Sequence, residues 1–469
     1  MRKINNSIFR EYDIRGIWQQ DIDEQFSFDL GRAFAKYMKK YMKKDKLTIS
    51  IGYDARLSSK DIFSSLAKGA NYENIGVINL GLVATPVQYF SLFNMAVDGG
   101  VMITASHNPK EYNGFKLSFY KETLFGDKIQ KVKDIMEGLD DVGCGKDVKK
   151  EIVDYNIIKD YTAYMLNEFG YLKQYKDKPR IVLDAGNGCG GFVAEPILNN
   201  LSFFVKGLFI EPDGTFPNHH PDPTVLGNIE DMRKTVVDGD YEVGIGYDGD
   251  ADRIGVVLKD GTLLYGDQLL LLFAQDILRK HKGAKIIGEV KCSQVLFDGV
   301  QKAGGKPIMW KAGHSLIKAK MKDENALLSG EMSGHIFFKD RYFGYDDAIY
   351  ASLRLLEIMT VEKINILAWR NRLPKMFNTP EIRINCPDGK KDAVVRHIIE
   401  YCKQDKDIID INTIDGVRFN VEGGWGLVRK SNTQPAIVLR FEANANELLD
   451  DLSEKFTGMV KKEINNQMR

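Results

Sequence analysis

The segment YEVGIGYDGDADRIGVVLKDGTLL occupies residues 241–264. It reads as a hydrophobic strand, a short acidic turn and then a hairpin. Asp248, Asp250 and Asp252 fall in the turn, directly after the strand. Like charges this close repel, so an unneutralised cluster at a strand end is unfavourable. Oxygen-only ligands suit a hard cation, magnesium or calcium. An EF-hand is excluded. Counting from Asp248, its glycine position holds Arg253 and its closing glutamate position holds Lys259. The hairpin also stands where an EF-hand has its exiting helix. Three carboxylates leave coordination positions open, which suits a catalytic Mg²⁺ sharing a phosphate oxygen. A solvated acidic turn is the alternative.

On either side of this segment, short β-rich runs alternate with helical patterns. LTISIGYD leads to Ser58 or Ser59 as a helix cap and then to KDIFSSLAKGA. GVINLG precedes PVQYFSLFNM, and GGVMITA enters the loop TASHNP. RIVLDAGNGCGG is a buried strand running into a glycine-rich turn, after a helical pattern over 161–175. The rhythm repeats from DQLLLLFAQDILRK to a helix over 347–359. Such alternation predicts largely parallel sheets covered by helices, an α/β class. Beyond residue 372 the grammar changes to one strand, one helix, a meander and a final amphipathic helix. Four domains are expected: 1–156, 157–263, 264–371 and a smaller α+β unit over 372–469. The last helix places Leu448, Leu452, Phe456, Val460 and Ile464 near helical spacing, a core-packing stripe.

A chain of 469 residues agrees with three or four domains. Zero net charge gives no electrostatic argument for nucleic acid or an anionic membrane as partner. No apolar run reaches the length of a membrane span, and the start lacks a signal-peptide core. Five scattered cysteines without a C-x-x-C pair fit a reducing cytoplasm and argue against a disulfide frame or zinc site.

Several loops could carry chemistry. TASHNP sets Ser106 beside His107, but without the glycines of a hydrolase nucleophile elbow; an Asn-Pro turn with a capping serine is the alternative. VRKSNTQP offers Arg429, Ser431, Asn432 and Thr433 to a phosphate, although such residues before proline also make an ordinary turn. GEMSGH sets Glu331 and Ser333 two apart, where they could hold sugar hydroxyls. KAGHS puts His314 before a helix, with capping by Ser315 as the bland version.

TASHNP, DGDADR, GEMSGH and RKSNTQP occur in that order at wide spacing. Together they closely resemble the four signature loops of the α-D-phosphohexomutase superfamily. FREYDIRG and KAGHS resemble its bacterial phosphomannomutase/phosphoglucomutase branch. The resemblance implies three similar α/β domains and a smaller fourth around a central cleft. It implies reversible interconversion of hexose 1- and 6-phosphates, of mannose and glucose, through a phosphoserine at Ser106 and a hexose 1,6-bisphosphate. Asp248, Asp250, Asp252 and Ser106 would hold one Mg²⁺. His107, Lys116, Arg253 and His314 would serve charge stabilisation and proton transfer. Tyr12, Arg15, Lys291, Glu331, Ser333, His335, Arg429, Ser431, Asn432 and Thr433 would bind the phosphosugar. A cytoplasmic monomer is expected. Gln434 stands where many relatives have glutamate. Phosphoglucosamine mutase is the alternative within the superfamily; a Mg²⁺-dependent sugar phosphatase and a non-enzymatic sugar-phosphate sensor lie outside it.

Overall fold

The computed structural model describes residues 5–44, 46–149, 151–431 and 434–468. The chain forms two compact units, Met1–Leu269 with Ser333–Trp369, and Leu270–Met332 with Arg370–Arg469.

In the first unit, one sheet runs in the order Ile14–Ile17, Tyr112–Phe119, Gly99–Ile103, Leu47–Tyr53, Ile75–Leu82, Ile152–Asp154. Leu47–Tyr53 lies between Ile75–Leu82 and Gly99–Ile103 and is parallel to both. Tyr112–Phe119 then returns antiparallel to Gly99–Ile103, setting Lys116 opposite Met102. The TASHNP loop is therefore the turn between an antiparallel pair. Helix Glu24–Tyr41 starts at Asp23, whose carboxylate accepts the Phe26 N–H at 2.7 Å, and ends with Lys39 and Lys40 against its negative pole. It crosses helix Ser59–Tyr72 so closely that a Cβ on Gly69 would lie 2.0 Å from the Phe28 carbonyl. Phe26, Leu30, Phe34, Ile49, Ile51, Leu66 and Phe115 share the core beneath.

A second sheet repeats this order. Arg180–Asp184 lies between the parallel strands Phe204–Leu208 and Val243–Tyr247, and Ile254–Leu258 returns antiparallel beside the latter. The acidic turn thus occupies the same topological place as the TASHNP loop. Pro223, Met232 and Val236 fill the space over the glycines of these strands, since a Cβ at Gly244 or Gly246 would meet them within 3.0 Å.

In the second unit, Lys285–Glu289 again lies between parallel strands, Lys306–Trp310 and Leu328–Gly330. The C-terminal sheet is antiparallel around Gly424–Lys430 and Ala436–Ala443. Helices Asp388–Gln404 and Asn446–Met468 cover it, and Val394, Ile398, Leu452, Phe456, Val460 and Ile464 meet Phe419, Leu439 and Phe441 in one core.

Of the two candidate caps, Ser58 is the N-cap of helix Ser59–Tyr72, although without a side-chain capping bond: Ser58 Oγ accepts from Asn113, and Ser59 Oγ donates to Asp54. Two other local expectations change. Ser315 does not cap its helix, which starts at His314 with Gly313 as the cap. The helix expected over 161–175 runs Ile157–Phe169 and tightens into a 3₁₀ turn over Gly170–Gln174. Among the described residues no helix is long and apolar enough to cross a membrane.

Candidate active site

Ser106 is buried and sits in the left-handed region at φ 51°, an uncommon place for a serine. Its N–H donates to Thr104 Oγ1 at 2.8 Å. Its Oγ donates to Asp248 Oδ2 at 2.7 Å and lies 3.0 Å from His107 Nδ1. The two turns that the sheets place alike therefore meet within the first unit. Burial, with help from Arg253 and Arg15, holds His107 well below the usual histidine range. That shift favours the neutral imidazole.

Asp248, Asp250 and Asp252 are all buried, with ligand atoms within 4.8 Å of one another. Asp248 Oδ1 accepts the backbone N–H groups of Asp252 and Arg253, each at 3.1 Å, which folds the turn around it. Lys116 Nζ donates to Asp250 Oδ2 at 2.7 Å and also bonds Asp252. Burial opposes the lysine's charge, yet Asp250 and then Asp252 outweigh it and hold Lys116 well above its ordinary range. For Asp252 burial is likewise overcome, by Lys116 and His335, and its pKa falls well below the ordinary value. Asp248 goes the other way: burial, then Asp252 and Asp250, push it well up. Asp250 Oδ1 is buried without a hydrogen-bond partner. An orphaned carboxylate oxygen beside a carboxylate driven toward protonation is a donor set that fits a hard divalent cation.

His335 Nδ1 lies 3.0 Å from Ser333 Oγ, and its Nε2 lies 3.2 Å from Asp252 Oδ1 and 3.4 Å from Arg253 Nε. His335, expected on the sugar, is thus also a neighbour of the acidic turn. Arg15 donates to Asp13, the Ala105 carbonyl and Asn108 Oδ1, so it grips the serine loop itself. Tyr12 belongs to the same unit and is half-buried.

The second unit carries the other expected groups. Glu331 Oε1 accepts the Gly313 N–H at 2.8 Å, at the head of the His314 helix. Lys291 is 2.9 Å from Glu381 and 3.6 Å from Glu289. Arg429 pairs with Asp415 at 3.0 Å, and Ser431 Oγ accepts the Gln434 N–H. Gln434 takes a hydrogen bond from Arg383 at 2.9 Å. Asn432 and Thr433 lie outside the described residues.

Three positions escaped the sequence reading. Thr85 holds Asp250 by two bonds, from Oγ1 to the carboxylate at 2.6 Å and from N–H to the carbonyl at 2.9 Å. Thr104 anchors Ser106, and Arg56 is bonded to the serine loop. Only Thr104 carried a signal, being a hydroxyl two residues before the serine.

Comparison with known proteins completes the description. Residues 6–142, 159–261 and 265–377 match, in order, the phosphoglucomutase/phosphomannomutase α/β/α domains I, II and III, and 381–458 match the C-terminal domain. A phosphoglucomutase of Neisseria meningitidis is 41% identical over 99% of both chains. A phosphomannomutase/phosphoglucomutase of Pseudomonas syringae pv. tomato is 40% identical over 97% of this chain and 96% of its own. The crystal structure of a phosphoglucomutase/phosphomannomutase family protein from Burkholderia thailandensis superposes with a TM-score of 0.88 at 36% identity, covering 98% of each chain.

Proposed function

The chain belongs to the phosphoglucomutase/phosphomannomutase family and is a hexose-phosphate mutase, and from that premise we propose that Ser106 is the phosphocarrier and that glucose and mannose phosphates are its substrates. The contact of Ser106 Oγ with both Asp248 and His107 carries this reading. Phosphoserine donates its phosphoryl group to the free hydroxyl of a hexose monophosphate, giving the 1,6-bisphosphate. The bisphosphate turns over and its other phosphate returns to Ser106. A phosphoserine ester is close in energy to a 6-phosphosugar ester, so neither direction is strongly uphill.

Asp248, Asp250 and Asp252 would hold Mg²⁺, which when bound supplies Lewis-acid neutralisation of phosphate charge. His107 takes the proton of Oγ when Oγ attacks phosphorus, matching its neutral state, and the imidazolium so formed returns that proton to Oγ when the O–P bond next breaks. Lys116, kept charged by two carboxylates, supplies positive charge rather than a proton sink. Arg253 adds charge at the transferring group. His314 is the candidate base for the sugar hydroxyl. Glu331, Ser333 and His335 hold the sugar; Arg429, Ser431, Asn432 and Thr433 hold the phosphate that is not reacting. Tyr12, Arg15 and Lys291 complete the binding set. A hexose 1,6-bisphosphate serves as activator, and the four segments 1–156, 157–263, 264–371 and 372–469 are the domains.

Glu331 and Ser333 reading C3 and C4 leave the site nearly blind to C2, where glucose and mannose differ. A buried partner dedicated to the C2 hydroxyl would discriminate on the order of 10⁴-fold. Glucosamine brings an ammonium that needs its own partner. One experiment covers these points: kcat/KM on the three 1-phosphates, and intact mass after adding glucose 1,6-bisphosphate, for the parent and Ser106→Ala. The parent should gain one phosphoryl mass and turn over glucose and mannose substrates within roughly a hundredfold of each other. Ser106→Ala should be silent in both measurements. Normal turnover by that variant sinks the phosphocarrier; preference for glucosamine 1-phosphate, or release of inorganic phosphate, moves the protein to another activity.

A further inference from the structure

Arg56 follows the strand Leu47–Tyr53 and is only 2% exposed. Nη2 donates to the carbonyls of Ser106 at 2.8 Å and Asn108 at 2.6 Å. Nη1 donates to the carbonyls of Pro109 at 2.6 Å and Tyr112 at 2.9 Å. Nε donates to Asp54 Oδ2 at 3.1 Å, and Asp54 Oδ1 accepts the Arg56 N–H at 3.0 Å, so the guanidinium is itself clamped. The Phe216 ring centroid lies 5.2 Å from its central carbon. One side chain thus ties the serine loop from Ser106 to the start of the returning strand at Tyr112.

Ser106 needs such a tie. A left-handed non-glycine residue is strained and persists only where its surroundings over-determine it. The Ser106 carbonyl is fixed by Arg56 on one side. On the other, Gly249 of the acidic turn packs so closely that a Cβ there would lie 2.5 Å from that same oxygen. We propose that Arg56 is a positioning residue for phosphoryl transfer: it fixes the Ser106–His107 peptide, and through it the aim of Oγ between Asp248 and His107. The bound carbonyls all belong to the backbone, so the function lies in the fork geometry of the guanidinium. Lysine keeps the charge but cannot reproduce that fork.

This inference rests on Ser106 as phosphocarrier. Arg56→Lys should lower kcat on the order of 100-fold, the scale of an ångström-sized misplacement. KM for hexose 1-phosphate should stay within about threefold, because the fork touches no substrate. Phosphorylation of Ser106 by glucose 1,6-bisphosphate, followed by intact mass, should slow in the same proportion. A merely structural arginine would lower the folded fraction and leave the kcat of folded enzyme unchanged. A folded Arg56→Lys variant with kcat within threefold of the parent therefore overturns the proposal, as does a rise in KM at constant kcat. Should Arg56→Lys not fold, Phe216→Leu loosens the guanidinium without removing any loop bond. A drop in its kcat of about threefold to tenfold supports the proposal, and an unchanged kcat overturns it. Activity surviving Ser106→Ala would fail the phosphocarrier reading instead; a silent Ser106→Ala beside a normal Arg56→Lys fails this inference alone.

Discussion

Asp248 is the least compensated of the three carboxylates. Lys116 bonds Asp250 and Asp252, whereas the Arg253 Nε stands 4.0 Å from Asp248. A buried charge among like charges destabilises the metal-free fold. Asparagine keeps the oxygen that accepts the Asp252 and Arg253 N–H groups and removes the charge. Asp248→Asn should therefore raise Tm in chelator by a few degrees, the equivalent of about 1 kcal/mol, while turnover with Mg²⁺ falls at least about 100-fold through the lost anionic ligand. Scanning calorimetry in EDTA and a mutase assay check the two halves, and a lower Tm in chelator would refute the electrostatic account. The residues of this turn were legible because their chemistry lies within a few positions of each other. Thr85 was not: its partner Asp250 is 165 positions away, and nothing local marks it. The charge state of Lys116 was likewise hidden, since Asp250 and Asp252 lie 134 and 136 positions along.

Among the elements, helix Ala348–Val361 shows how a cap becomes a joint. Asp347 caps it, accepting the Tyr350 N–H at 2.8 Å. The same carboxylate accepts the hydroxyls of Tyr161, on helix Ile157–Phe169, at 2.9 Å and of Tyr342 at 2.7 Å. Burial pushes its pKa up to about 6, against the stabilising bonds from Tyr350, Tyr342 and Tyr161. A folded pKa above the unfolded one gives stability that is complete below the unfolded value and lost as pH rises through the folded value. The window is thus from near pH 4 to above pH 6, worth at most roughly 3 kcal/mol at 1.36 kcal/mol per unit. Asp347→Asn lacks this titration. The stability of the parent relative to the variant should fall from pH 4 to pH 7, as urea melts of both proteins at each pH would show; a constant difference would mean that Asp347 titrates normally. The helix was readable from the apolar run behind Asp347, whereas the cap was not, since Asp347 reads as the first helical residue. The final helix was readable too, because its stripe at helical spacing does become core. Strand order was not, since pairing depends on contacts that no local window contains. Nor was the start of the helix at His314, one residue before the expected Ser315 cap, or the bond that Ser58 Oγ accepts from Asn113 in place of a capping bond.

At the scale of the whole molecule, four sequence segments condense into two compact units for a physical reason visible in the second. Arg418 donates to the carbonyls of Val290 at 2.7 Å and Cys292 at 2.6 Å, and its guanidinium lies 3.7 Å from the Trp425 ring centroid. Trp425 and Leu427 share a small core with Val290 and Ala312. The C-terminal sheet is therefore docked onto the segment before it, and the two form one body within that unit. Ser106 and the three aspartates all belong to the other unit. Ligand that binds only folded protein stabilises what it binds by RT ln(1 + [L]/Kd), about 2.7 kcal/mol at a hundredfold excess over Kd. Mg²⁺ should act through the first unit alone. Hydrogen exchange read by mass spectrometry along a thermal ramp can locate the effect. Peptides covering 85–119 and 243–258 should open at higher temperature in Mg²⁺ than in EDTA, while peptides covering 417–443 keep the same midpoint. A common shift of all peptides would show that the units unfold as one cooperative body, and an unchanged midpoint at 243–258 would remove the metal from the acidic turn. Between these outcomes lies the distinction that matters for the enzyme. If the units melt separately, the proposed phosphocarrier Ser106 and the proposed phosphate ligand Arg429 rest on independent folding free energies, and a destabilising change in one unit leaves the other intact.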